Sequence, residues 1–228
     1  INLYSWGIEI FSTSLIPSTV AMSVCIWSIP LAMRHKWIEA FALCGVAIFF
    51  QALVGFFAGR TLLPALIVLS IKKKEVWRPT LCSILLLLPM ALIFAITNAT
   101  NNSPLPNEFS FLKVFGEFRV PHHWLPSTGG WKKWLSDVLF LIAGGLALRV
   151  LYSSHERKVL HIANLLLGAI IVATAGIAAN YIFVEVFPVE LVGKLQFQRI
   201  MPFGQIAIWL SVSAAILLRW SKGNGLGL

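Results

Sequence analysis

Long apolar runs separated by short basic clusters constrain this chain more than any other feature. Pro17–Met33 ends at Arg34-His35-Lys36, and residues 79–98 follow a cluster running from Lys72 to Arg78. Residues 137–152 end at a cluster spanning 153–158, residues 159–187 follow it, and residues 200–218 end at Arg219-Trp220-Ser221-Lys222. A helix needs roughly 20 residues to cross the hydrocarbon core, so these runs have the length of membrane crossings. Only 12% of the residues are charged, against about 25% in a soluble domain. So little charge would not keep the chain in water.

The stretch 37–71 is too long for one crossing and short for two. The basic clusters decide how it divides, because cytoplasmic loops carry the excess of Lys and Arg. Clusters 34–36 and 72–78 are both basic, so an even number of crossings separates them. The expectation is two short helices, Trp37–Phe50 and 52–71, turning near Gln51. Arg60 strains this division, since a charge inside a span is costly without a partner or a watery cavity. Seven spans put clusters 34–36, 72–78, 153–158 and 219–222 on one side and the loops 99–136 and 188–199 on the other. A six-span arrangement, with 37–71 partly re-entrant, is the alternative.

The predicted fold is therefore all-α. It is a polytopic transmembrane helical bundle of about seven spans, one transmembrane domain over 1–228, with one long extracytoplasmic loop. Ile1 in place of Met points to a longer polypeptide. Residues 1–16 read as an interfacial helix or as the tail of a further span. Tryptophans at the ends of several runs, such as Trp37, Trp77, Trp134 and Trp220, fit an interfacial aromatic belt. The net charge of +9 does not indicate nucleic acid, because no basic face is interleaved with aromatics. Cys25, Cys44 and Cys82 lie in apolar runs and read as small core residues. No cofactor motif, metal-ligand spacing or serine-histidine-acid pattern is recognisable.

The loop 99–136 carries most of the chemistry. It opens with "NATNNSPLPNEFS", an Asn- and Pro-rich turn segment. Residues 107–118 are too apolar for free loop and read as a short helix lying in the interface. "FRVPHHWLPS" follows. Pro121 and Pro126 fix the backbone around His122 and His123. Histidine can donate, accept or shuttle a proton near neutral pH, and Arg119 can grip a phosphate with two parallel hydrogen bonds. The two histidines read as turn caps, as head-group or substrate ligands, or as metal ligands; adjacent histidines do not easily chelate one metal. The second loop, "ELVGKLQFQRI", gathers Glu190, Lys194, Gln196, Gln198 and Arg199. Gln196 and Arg199 are spaced to share a helix face. They read as an interfacial anchor or as a second arm of the Arg119 site. His161 and Asn164 share a face of their span and read as a polar pair.

The "FRVPHHWLPS" and "KLQFQR" segments resemble a bacterial family of polytopic membrane proteins with an R-x-P-H-H loop motif. Those in turn look like the C-terminal half of GT-C-type glycosyltransferases, as does "ALVGFFAGRTLLPALIVL". Arg119, Pro121, His122, His123, Gln196 and Arg199 carry the resemblance. It implies residence in a bacterial inner membrane and a polyprenyl-phosphate sugar donor, with Arg119, His122, His123, Gln196 and Arg199 binding the lipid phosphate or sugar. Such enzymes place a catalytic acid in their first extracytoplasmic loop; Glu9 is the only early acid here and lacks that context. Two classes of function stay open. One is a lipid-linked sugar transferase or a remnant of one. The other is a non-catalytic subunit of a photosynthetic or respiratory complex, contacting pigments, quinone or neighbouring helices.

Overall fold

The structure, a computed structural model, describes residues 4–5, 8–9, 17–100, 127 and 130–223. Its helices are α1 (Pro17–Met33), α2 (Trp37–Phe50), α3 (Ala52–Lys73), α4 (Trp77–Thr100), α5 (Gly130–Tyr152) and α6 (Arg157–Asn180). A wide π turn, Tyr181–Val186, prolongs α6. The short α7 (Glu190–Leu195) and a 3-10 turn (Phe197–Ile200) lead into α8 (Met201–Gly223). In the first sixteen residues, Tyr4–Ser5 pairs antiparallel with Ile8–Glu9. An interfacial helix or the tail of a further span was the expectation for residues 1–16, and at these four residues the backbone is extended instead.

Five helices, α3, α4, α5, α6 with its π turn, and α8, are long and apolar enough to cross a membrane. The other two long elements fall short. The 17 residues of α1 and 14 of α2 rise about 26 Å and about 21 Å, against about 30 Å of hydrocarbon. The stretch 37–71 does divide at Gln51, whose extended backbone ends α2 and whose Oε1 accepts from the N–H of Leu53. Helix α5 starts earlier than its apolar run. "GWKKW" forms its first turns rather than loop, because Gly130, at φ 64, supplies the left-handed residue that opens the helix.

Helix α3 is the hub and packs against α1, α2, α4, α6 and α8. Helices α5, α6 and α8 form a second cluster, joined to the first through α3 and α6. Small residues allow the close approaches. A Cβ at Gly55 would stand 2.5 Å from the carbonyl oxygen of Cys44 and 2.6 Å from the amide nitrogen of Ile48. One at Gly45 would stand 2.7 Å from the carbonyl oxygen of Leu85. The backbones of α2 and α3, and of α2 and α4, therefore touch. Gly59, four residues after Gly55, receives the Leu86 side chain. Association in lipid gains little from burying apolar surface and depends on such packing. Trp37, Phe41, Phe57, Leu66, Leu165 and Ile208 fill the centre.

The pairings fix the direction of each helix. Ala32 at the end of α1 meets His161 near the start of α6. Trp134 near the start of α5 meets Tyr181 at the end of α6, and Ile200 before α8 meets Gly176. The turns at 34–36, 74–76 and 153–156 and the end of α8 thus gather at one end of the bundle, the basic end. The Gln51 corner and the connection from α6 to α8 lie at the other. Gly55→Ala should lower stability by about 1–3 kcal/mol through overpacking, whereas Gly145→Ala, with open space around it in a helix interior, should leave it unchanged or raise it by up to about 1 kcal/mol. Thermal unfolding in detergent checks both, and equal midpoints for the two variants would rule out this account of the α2–α3 contact.

Candidate functional site

Arg119, His122 and His123 lie outside the described residues. Gln196 and Arg199 lie within them and do meet, though not on a helix face. Gln196, at φ 48, ends α7 in the left-handed region, and the chain re-enters as the 3-10 turn. Nε of Arg199 donates to Oε1 of Gln196. The turn packs against α3 and α6, with the Phe197 ring 5.8 Å from that of Phe57. Arg199 is half-buried here, and burial lowers its pKa from the ordinary guanidinium value. His161 and Asn164 are not paired with each other. His161 Nε2 lies 3.3 Å from the carbonyl oxygen of Ala32, and Asn164 Oδ1 accepts from the Tyr152 hydroxyl at 2.8 Å. Each joins its own neighbouring helix to α6.

A cavity of about 350 Å³ opens between α5, α6 and α8, toward the end opposite the basic clusters. Val138, Leu141, Ile177, Ala178 and Met201 make its apolar wall, with Trp134, Asp137, Thr174 and Tyr181 as polar points. Lys133 Nζ lies 3.1 Å from Asp137 Oδ2, so the carboxylate in the lining is neutralised. The Trp134 and Tyr181 rings meet edge-on at 6.2 Å. Tyr181 begins the π turn, a distortion that often occurs at functional positions. Within that turn, Glu185 Oε1 accepts from the backbone N–H of Ser127 at 2.8 Å. Residue 127 follows the Arg119–His123 segment closely in sequence, so the long loop returns to the bundle at this end.

The arrangement suits an amphipathic molecule. The wall is almost wholly apolar, and Met201 in the lining lies two residues beyond Arg199, so polar contacts for such a molecule would come from the rim. The spacing in the sequence made the meeting of Gln196 and Arg199 legible, but not the cavity. Asp137, Tyr181 and Thr174 sit singly among apolar residues, and only the crossing of three helices brings them together. Trp134 was legible as an interfacial residue and proves also to be a wall.

A second polar cluster occupies the basic end. His35, at φ 61, sits in the middle of the α1–α2 turn in the left-handed region. Its ring stacks on that of His161 with centroids 3.9 Å apart, and the Trp37 ring meets His161 edge-on at 6.0 Å. Burial, then the positive charge of His161 and Lys73, hold the His35 pKa below its ordinary value.

Comparison with protein-family models, curated proteins and solved structures finds no match. Among the described residues, the secondary structure is helical apart from the short strand pair near the N-terminus, and five helices are long and apolar enough to span, which fits an integral membrane protein.

If the Gln196–Arg199 contact holds the connection in place, Gln196→Ala should cost about 1–3 kcal/mol, because the half-buried guanidinium loses an acceptor. With Arg199→Met already present, the same change should cost much less. Unfolding of both single variants and the double variant measures the coupling, and strictly additive losses would refute it.

Proposed function

We propose that this protein binds a phosphate-bearing lipid of the polyprenyl-phosphate type at the face opposite the basic clusters. The lipid chain lies against the apolar wall between α5 and α6. Arg199, oriented by Gln196, meets the phosphate together with Arg119, His122 and His123 from the long loop. The cavity carries this reading. It is apolar along its depth, it opens beside the turn that positions Arg199, and Ser127 anchors the returning loop at the same end. On this reading the basic end is cytoplasmic, as the distribution of Lys and Arg requires, and the site faces the other side. A GT-C-like lipid-linked sugar transferase, or a remnant of one that keeps the lipid site, is the functional class proposed.

Arg60 favours a second reading. It is exposed on α3, well inside a span, with its guanidinium carbon 5.8 Å from the centre of the Phe56 ring. A cation at that depth is costly in bare lipid, so an acidic or polar group of a neighbouring membrane subunit would stabilise it. Co-purification of such a subunit at fixed stoichiometry, lost in Arg60→Leu, is the result this reading expects.

Binding of a short-chain polyprenyl phosphate to the purified protein tests the first. Ala178→Trp fills the cavity from an exposed position and should weaken binding at least about tenfold, or 1.4 kcal/mol. Ile171→Trp, on the outward surface of the same helix, should not. Arg199→Lys keeps the charge but loses the planar fork, so it should weaken binding nearly as Ala does. Unchanged affinity in Ala178→Trp and Arg199→Lys together would eliminate the proposal.

A further inference from the structure

We propose that the basic end carries a separate site for an anionic phospholipid, with one acyl chain laid in the groove between α1 and α2 and its phosphate held by Arg34 and the His35–Lys73 corner. Two observations carry this. The first is a groove of about 380 Å³ lined by Val24, Trp27, Pro30, Leu31, Arg34 and Leu43. From Val24 to Arg34 it follows α1 for about 15 Å at the helical rise. That is the depth of one leaflet, half of a hydrocarbon core of about 30 Å. Its wall is apolar, and it ends at an exposed arginine at the level of the helix end, where a head group sits.

The second observation is the charge around that arginine. Arg34, His35 and Lys36 form the turn, Lys72, Lys73 and Lys74 end α3, and Arg157 and Lys158 open α6 beside His161. Glu39, in the first turn of α2, is the acid nearest in sequence to the turn. Burial, with His161 and Lys73 adding to it, lowers the His35 pKa, and the lysines and arginines gathered around this corner present a net positive field to an arriving anion. The left-handed backbone at His35 and its stack on His161 hold the corner in one geometry. Among possible occupants, a free phosphate would use the charge and leave the groove empty, and a neutral lipid would use the groove and leave the charge. An anionic phospholipid uses both. Clusters of this kind at the cytoplasmic ends of membrane helices attract acidic lipids.

Trp27 is 70% exposed and lines the groove, so it reports an occupant directly. The protein is reconstituted in phosphatidylcholine bilayers doped with either brominated phosphatidylglycerol or brominated phosphatidylcholine. The Trp27 signal is the difference between the wild type and Trp27→Phe. The anionic probe should quench that signal at least about threefold more effectively than the zwitterionic one, a preference within reach of one or two lysine or arginine contacts near the surface. Arg34→Gln combined with Lys73→Gln should bring the two probes to parity. Arg219→Gln removes one charge from the same end away from the groove and should keep the preference. Parity in the wild type, retention of the preference in the double variant, or an equal loss in Arg219→Gln would each overturn the site. Because the probe and variants lie at the end opposite the Arg199 cavity, failure here leaves the polyprenyl-phosphate reading untouched.

Discussion

Contact between the backbones of α2 and α3 at Gly55 is the constraint on which the rest of the bundle depends. Helix α2 is too short to cross hydrocarbon, and no water is available in a membrane to satisfy an exposed helix end. Protein must therefore hold it in place, and α1, α3 and α4 pack against one side of it, leaving Val46, Phe49 and Phe50 exposed. The bare Cα of Gly55 lets the α2 backbone rest against α3, and Gly45 does the same toward α4. The corner between α2 and α3 is closed from within, since Gln51 donates its N–H to Ala47 and accepts from Leu53. With α2 seated, α3 has one side left for α6, where Gly168 meets Pro64. The second cluster of helices attaches there and leaves the cavity between α5, α6 and α8.

The two ends of the bundle differ in kind. At the basic end, turns are short and positive charge is in excess around a pair of stacked rings, with Glu75 paired to Arg78 at its edge. At the other, charges come in opposed or bonded sets: Lys133 with Asp137, Arg199 with Gln196, Glu185 with the backbone at Ser127. The first can hold an anion by excess charge, the second by placed hydrogen bonds. Each end sets such groups beside an apolar wall, the first along α1 and the second between α5, α6 and α8.

Much of the fold was legible because membrane crossing imposes length and hydropathy on each run, and basic residues mark where runs end. The break at Gln51 followed from charge parity alone. The helical start at Gly130 did not, because "GWKKW" carries two lysines and a hydropathic reading stops at charge, whereas the lysines can reach outward from the first turns. The four-residue spacing of Gly55 and Gly59 in "GFFAG" is a packing signal in the sequence, although the spacing does not say which helix it will meet. Gln196 and Arg199 could be found because their spacing brings them together in either a helix or a tight turn. The cavity and the His35–His161 stack could not. Their residues come from helices far apart in sequence, and nothing local says which faces will meet.

The shortness of α2 also bears on how the protein is made. Synthesis delivers α2 before α3, yet α2 alone cannot cover its own ends in the bilayer. It has no stable resting place until the residues after Gln51 have emerged. The two must enter as a paired hairpin, with Gln51 at the leading tip, and a ribosome pausing between them would leave the chain lodged at the membrane surface.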